Sequence, residues 1–503
     1  MGQLQRNTLA NLIGRVWSKA LGFVFIPLYI KFLGVEAFGL VGFYVTLQSV
    51  LGLFDFGISV TLNREIARLS ALEGSEQEQR DLLRSLEIIY YSIALLMGML
   101  IFWLSPFVAH HWVKPQALSV ATVERGVALM GLAFLFQFPL NLYQFGLMGK
   151  ERQVLLNTIQ GVVATVQGVG AVFLLWLVSA TIECFFLWQV IISILGTGVT
   201  AWALWHSLAA SAARPRFRIS LLRKVWRFAA GWLGIGVTHT ITFHADRVVL
   251  SKLVPLDLFG YYTLAQTIAM ALWALVESVT GAATPRFSQL VVLDDEGELK
   301  TTYHRTCQFL AVILMPVAVI MALFSWEIVM LWTRNRVIAD TIHQVTSILI
   351  IGIMLRGIAS IPFSLQVAYG WLRLALSTNV ISAIIFVPLI VLLASRYGII
   401  GTAAVTAVQH LVFLLSMLIM YGFFLKGEQG RWVRTDFLLP LTVVLLVAGV
   451  GRLLYPSLMP PLFSFAYLAV VWLITAGATA MMTPEVRVTI LSRFLPKAGA
   501  RID

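Results

Sequence analysis

Lys31-Phe32-Leu33-Gly34-Val35-Glu36-Ala37-Phe38-Gly39 lies without a gap over Lys252-Leu253-Val254-Pro255-Leu256-Asp257-Leu258-Phe259-Gly260, an offset of 221 residues. At the same offset Gly149 and Arg152 fall on Gly370 and Arg373. One nine-residue match could arise by chance. Two at one offset, each in a corresponding loop, mark an internal repeat. What repeats is a set of apolar runs. A membrane-spanning helix takes about 20 predominantly apolar residues, and runs of that kind cover 8–30, 37–62, 85–109, 122–148, 154–178, 182–209, 225–250, 258–284, 304–332, 340–369, 375–394, 399–425, 436–454 and 462–482. Six runs separate the two copies, so the halves enter the membrane in the same orientation. Parallel repeats are related by an axis along the membrane normal, and transporters built this way carry substrate between the lobes. The expected fold is all-α and polytopic, with about 14 transmembrane helices in two parallel six-helix lobes plus a C-terminal pair. Residues 1–215 form the N-lobe (spans 1–6) and 216–425 the C-lobe (spans 7–12); 426–503 hold spans 13 and 14 and a basic tail.

Composition agrees with that reading. The 503 residues are 59% hydrophobic and only 12% charged, with a mean hydropathy of +0.87; soluble chains carry about twice that charged fraction. The net charge of +12 is scattered through short loops, which excludes the clustered basic face a nucleic-acid partner requires. It fits instead the excess of Lys and Arg in cytoplasmic loops. With the N-terminus inside, 24 of the 36 Lys and Arg fall in inside loops and 7 in outside loops. Both termini are expected in the cytoplasm, and the chain in a bacterial inner membrane as a multi-pass protein. The first run holds Arg15 and Lys19 and lacks a small-residue cleavage site, so it reads as a span rather than a cleaved leader. The outside loops are too short for a folded domain. Asn63–Arg84 and 292–303 read as solvated connectors, the first partly helical. Cys184 and Cys307 lie toward opposite sides of the bilayer with no partner at metal-ligand spacing, which makes both packing residues.

Polar residues at bilayer depth are costly and face the bundle interior or a watered cavity. On span 1, Asn11, Arg15 and Lys19 recur at four-residue steps, a stripe that suits a diphosphate or, alternatively, snorkels to the interface. Gln137, Asn141 and Gln144 on span 4 offer hydrogen bonds to sugar hydroxyls or between helices. Arg356, sharing a face with Ser360, is a candidate for contacting phosphate or closing the cavity. Asp55 shares a face of span 2 with Tyr44, Gln48 and Ser59, and either binds a cation, titrates, or fastens spans 1 and 2. Span 7 carries His239, Thr242 and Asp246 on one stripe beside His244 and Arg247, a proton relay or a structural gate. Glu277 is the deepest remaining acid and a candidate for a coupling cation. His410 reads as a packing histidine.

The stretch Asp246-Arg247-Val-Val-Leu-Ser-Lys252 through Gly260-Tyr261-Tyr262-Thr-Leu-Ala265 resembles the seventh-span signature of bacterial polysaccharide transporters. These are the Wzx-type O-antigen flippases of the multidrug/oligosaccharidyl-lipid/polysaccharide flippase superfamily. Phe32 to Gly39, Phe54-Asp55-Phe56-Gly57 before Arg64, and Gly398-Ile-Ile-Gly401-Thr-Ala-Ala agree with the same family, over roughly residues 5 to 425. The resemblance implies alternation between inward- and outward-facing forms, carrying an undecaprenyl-diphosphate-linked oligosaccharide from the cytoplasmic to the periplasmic leaflet. It also implies coupling to a proton or sodium gradient rather than a cofactor, with the lipid-linked oligosaccharide, membrane lipids and the polysaccharide polymerase machinery as partners. The runner-up is a cation-coupled multidrug antiporter of the same superfamily, which would present an acid-rich cavity and twelve spans. A polysaccharide polymerase or ligase would need a catalytic constellation on a sizeable outside loop, and the sequence has none, so the expected class is a transporter and not an enzyme.

Orientation is open to a direct check. Alkaline phosphatase fused after Lys114 should be active, and fused after Lys224 or at Asp503 inactive, with the reverse pattern for a fluorescent reporter that folds only in the cytoplasm.

Overall fold

The computed structural model describes residues 17, 20–211, 213–371, 373–456 and 459–488, with backbone alone for 222–236, 239 and 375. Among these residues the secondary structure is helical, as hydrocarbon requires of a chain whose backbone amides have no water to bond. Among the described residues eleven helices are long and apolar enough to cross a membrane. One of them covers two of the expected spans, and the shorter Ala20–Leu33 lies over the first. The chain forms two compact units, Met1–Gly260 and Tyr261–Asp503.

The first unit contains α1 (Ala20–Leu33), α2 (Val35–Leu51), α3 (Ile58–Ser70), α4 (Glu76–Phe107), α5 (Val120–Gln137), α6 (Leu140–Gly149), α7 (Gln153–Leu177), α8 (Ile182–Ser207), α9 (Ile219–Leu253) and the start of α10 (Leu256–Met270). The second holds the rest of α10, α11 (Trp273–Val292), α12 (Glu296–Leu323), α13 (Ser325–Thr333), α14 (Arg336–Ile358), α15 (Ser360–Ala368), α16 (Arg373–Ser416), α17 (Gln429–Leu453) and α18 (Pro461–Met482). In the first unit α9 packs on α2, α3 and α4. The linker before it is strapped to α4: Arg218 Nε pairs with Asp81 at 2.7 Å, and Arg216 and Arg218 backbone amides donate to Asp81 and Ser85, both at 2.8 Å.

The connectors are shorter than the sequence suggested. Within 63–84, α3 runs to Ser70 and α4 starts at Glu76, leaving one turn between them. Glu76 and Glu78 sit in the first turn of α4, where carboxylates favour the positive end of the helix. Likewise α12 begins at Glu296, because Asp295 caps it by accepting from the Glu298 amide at 3.0 Å. Spans 11 and 12 run into one another through Gly398, whose φ of 57° and ψ of −135° make the kink.

Several spans are not continuous. Span 2 gives way to a 3-10 turn over Gly52–Asp55 and left-handed Phe56 and Gly57 before α3 resumes it. Span 4 breaks between Gln137 and Leu140, span 8 between Met270 and Trp273, and span 10 at Ala359. Gln137 and Ile358, the last residues before two of these breaks, are 221 positions apart, and the ends of α2 and α10 agree within two residues of the same spacing. The backbone therefore carries the repeat that the loop motifs announced.

The repeat also meets itself. A Cβ at Gly39 would lie 2.4 Å from the Leu256 carbonyl oxygen, and one at Gly260 would lie 2.3 Å from the Val35 carbonyl oxygen. Leu256 is the counterpart of Val35 as Gly260 is of Gly39, so α2 and α10 cross reciprocally with only glycine fitting at the contact. Beside the crossing Glu36 accepts from the amides of Gln116, Ala117 and Leu118 at 2.6, 2.7 and 3.3 Å. The Leu256 amide donates to the Lys114 carbonyl at 3.0 Å.

In the second unit, α17 and α18 pack against α12. The attachment is ionic near one end, where Arg452 pairs with Glu327 and lies 5.0 Å over the Phe324 ring. Near the other end it runs through a buried cluster around His304 and Asp436.

Gly39→Val forces a branched side chain into a backbone contact and should destabilise the purified protein by about 1–3 kcal/mol. The exposed Gly22, where an added methyl group would meet nothing within 4 Å, is the control: Gly22→Ala should leave the thermal midpoint within about 1 °C.

Candidate functional site

The two breaks in the first unit are where its polar side chains gather. Gln137, last residue of α5, accepts from the Tyr44 hydroxyl at 2.8 Å and from Gln48 Nε2 at 2.5 Å. Tyr44 and Gln48 stand one turn apart on α2, so the sequence stripe on span 2 does face span 4. At the other break, Asp55 accepts from the Ser59 hydroxyl at 2.8 Å, from the Ser59 amide at 3.4 Å, and from the Tyr90 hydroxyl. Tyr90 is fully buried on α4, and its ring stacks on Phe138 with centroids 5.1 Å apart. Phe138 follows Gln137 directly, so the two polar clusters are joined through one aromatic pair.

This geometry narrows the reading of Asp55. Its partners are hydroxyls and a freed backbone amide, and they tie span 2 to span 3 through Tyr90. A carboxylate held by neutral donors at an interruption of a membrane helix is chemically able to exchange a donor for a cation or a proton. The 3-10 turn exists because Gly57 and Phe56 take left-handed backbone that an unbroken helix excludes.

One turn from Tyr90, Glu87 forms a third cluster, which the sequence did not single out. It accepts from Tyr143 at 2.9 Å and from Trp205 Nε1 at 2.7 Å, and pairs with Arg84 at 3.1 Å. Outside the spans, Lys150 reaches Ser70 at 3.1 Å, and burial together with the Arg152 charge lowers its pKa below that of an ordinary lysine.

The remaining sequence candidates are dispersed. Asn11, Arg15 and Lys19 lie outside the described residues, as does the side chain of His239. Asn141 is exposed and Gln144 half-buried on α6, past the break that separates them from Gln137. Asp246 is buried and Arg247 half-buried on α9. In the second unit Glu277 is exposed on α11, and Arg356 is buried with its guanidinium 3.4 Å over the Phe413 ring of α16. Cation–π packing of that kind holds α14 to α16. A cavity of about 300 Å³ lined by Asp294, Glu296, Tyr369 and Phe424 opens at the turn between α11 and α12, and none of the sequence candidates lines it.

A charge-poor bundle of membrane-length helices, broken at repeat-related points and carrying polar side chains at two of them, fits a multi-span membrane transporter. The model of the family described as "Polysaccharide biosynthesis protein" matches residues 4–291, more than half of the chain, and that of MatE matches 237–392. The chain belongs to the polysaccharide biosynthesis protein family, within the multidrug/oligosaccharidyl-lipid/polysaccharide flippase superfamily. It is 19% identical over 400 residues to a Shigella flexneri protein named "Putative O-antigen transporter", covering 79% of this chain and 93% of that one. It is 23% identical over 329 residues to the succinoglycan biosynthesis transport protein ExoT of Rhizobium meliloti (strain 1021), covering 62% of this chain and 58% of that one. Among solved structures, the lipid II flippase MurJ in an inward closed conformation superposes with a TM-score of 0.72 at 15% identity over 93% of this chain and 98% of that one. An inward-facing multidrug resistance MATE family transporter gives 0.66 at 12% identity over 83% and 96%.

Tyr90→Phe removes a donor from Asp55 while keeping the ring on Phe138. It should cost about 1–3 kcal/mol of stability, read as a lower thermal midpoint in detergent, and Ser59→Ala should add to it less than independently because both serve one carboxylate.

Proposed function

We propose that the chain flips a lipid-linked saccharide, an undecaprenyl-diphosphate-linked oligosaccharide unit of a surface polysaccharide, from the cytoplasmic to the periplasmic leaflet. The observation that carries this reading is the family match over residues 4–291. The transporters of O-antigen and succinoglycan named among its relatives, and the lipid II flippase among its structural neighbours, support it. The chemistry of the first unit is compatible. Tyr44, Gln48 and Gln137 offer amides and a hydroxyl, the groups that exchange hydrogen bonds with sugar hydroxyls at little cost. In this reading the span 1 stripe of Asn11, Arg15 and Lys19 meets the diphosphate, and Asp55 takes up the coupling proton or sodium ion. The two lobes alternate, the polyprenyl chain stays in lipid, and both termini remain in the cytoplasm. Downstream, the flipped unit goes to the polymerase machinery.

The MatE match over 237–392 favours a second reading, a cation-coupled antiporter for organic cations. The bases on span 1 and the uncharged layer around Gln137 weigh against a cationic substrate.

Deleting the gene in its native host, followed by mass spectrometry of the polyprenyl-diphosphate lipids, separates the two. Flipping predicts a completed saccharide accumulating on its carrier in the inner leaflet and loss of the surface polymer. An unchanged lipid pool with raised sensitivity to cationic drugs would replace it by the antiporter. In complemented cells Gln137→Leu should lower polymer output about tenfold, the equivalent of one to two hydrogen bonds. Asp55→Asn should remove the dependence of output on the ion gradient.

A further inference from the structure

His304 on α12 has none of its surface exposed, and a carboxylate oxygen stands at each ring nitrogen. Asp436 Oδ2 lies against Nδ1, and Glu428 Oε2 is 3.2 Å from Nε2. A neutral imidazole has one N–H and one lone pair. Between two ionised carboxylates it donates to one and turns its lone pair on the other. The arrangement is satisfied when one additional proton is present, on the ring or on a carboxyl, and that proton belongs to the three groups together. We propose that His304, Asp436 and Glu428 form a proton-binding site whose bound proton fastens α17, and with it α18, to α12. The proposal concerns the second unit alone and does not depend on the transport reading.

The imidazole is the counter-charge that lies against Asp436, whereas Glu428 is met also by Arg431 and by the charge of Lys300. The other oxygen of Asp436, itself fully buried, accepts from Gln308 Nε2 at 2.7 Å and Thr435 at 3.0 Å, both neutral. On α12, Lys300 is tied to Glu296 at 2.9 Å, Arg305 follows His304, and Cys307 lies one turn on. From the 428–438 segment, Arg431 stands 4.0 Å from Glu428 but 2.7 Å from Glu485, and Arg434 precedes Thr435. Tyr421 faces the Tyr303 hydroxyl at 2.6 Å. From the 484–488 turn, the Glu485 amide donates to Gln308 Oε1 at 2.8 Å, with Arg487 beyond it. Gln308 thus links Asp436 to the residues that follow α18.

The sign follows from the count of donors. With the proton bound, both nitrogens of His304 contact carboxylate favourably. Without it, a buried carboxylate faces a lone pair in a medium that screens poorly. The fastening is present at low pH and lost as pH rises. The opposite end is held by Arg452 and Glu327, an arginine–carboxylate pair in which no histidine takes part. Release therefore opens one end only, at the segment 432–438 that is wound as a π-helix, the loosest of the helical forms.

Cys307, buried one turn from His304, reports on this end. In full-length Cys184→Ser protein in detergent, its rate of maleimide modification would be measured at pH about 6 and about 9, each divided by the rate for glutathione at the same pH. The corrected rate should rise about tenfold with pH in the parent, the loss of roughly one hydrogen bond. It should stay flat in Glu428→Gln and Asp436→Asn, where a neutral ring finds one donor and one acceptor. A flat parent would overturn the proposal, and so would an equal rise in parent and variants, which would put the proton elsewhere. Should Asp436→Asn fail to fold, Glu428→Gln, on the more exposed arm, decides alone, with deuterium uptake of a peptide spanning 428–445 as its second readout.

Discussion

In hydrocarbon an unsatisfied backbone amide or carbonyl costs several kcal/mol, so a chain can leave the helix only where protein groups take over the lost bonds. The rest of this structure depends on that constraint. Where span 2 unwinds at Gly52–Gly57, Asp55 accepts from the amide and hydroxyl of Ser59, and Tyr90 comes across from α4 to complete the carboxylate. Where span 4 breaks after Gln137, the amide side chain is met by Tyr44 and Gln48. At that second break the Phe136 carbonyl accepts from the Thr197 hydroxyl at 2.7 Å.

The same economy governs the buried charges. Glu36 takes three backbone amides, Asp81 takes Arg218 and the Arg216 amide, and Glu87 takes a tyrosine, an indole and an arginine. These acids sit toward helix ends and hold segments that lie far apart in sequence, 135 residues for Asp81 and Arg216. A buried carboxylate stripped of such donors is strongly destabilising, which makes each of them a fixed point of its unit rather than a moving part. Asp55 differs in being served by neutral groups in the interior of a span.

The fold was legible because its signals are local or periodic: a run of about 20 apolar residues and the loop motif that recurs from Lys31 to Lys252. The site was legible only in part. Gln137 and Asp55 were visible as polar residues inside apolar runs, but the breaks that define their surroundings were not, since Gly52 and Gly57 are unremarkable in a membrane segment. Glu87, Asp81 and His304 sit near run ends, where a charge ordinarily reads as interfacial, and the partners that come to them from other helices lie 56 to 135 residues away. Arg356 was visible as a charge inside an apolar run, but the Phe413 ring that its guanidinium packs over was not. The C-terminal pair fell outside the repeat, and its attachment rests on Asp436 and Arg452, which stand near the two ends of the run 436–454.

The crossing of α2 and α10 uses the repeat on both of its sides. Each glycine is met by the counterpart of its own neighbour: Gly39 by Leu256, and Gly260 by Val35. A contact with that reciprocity is isologous, the kind a symmetric dimer makes with one patch used twice. At this point neither copy of the repeat can carry a side chain without intruding on the backbone of the other.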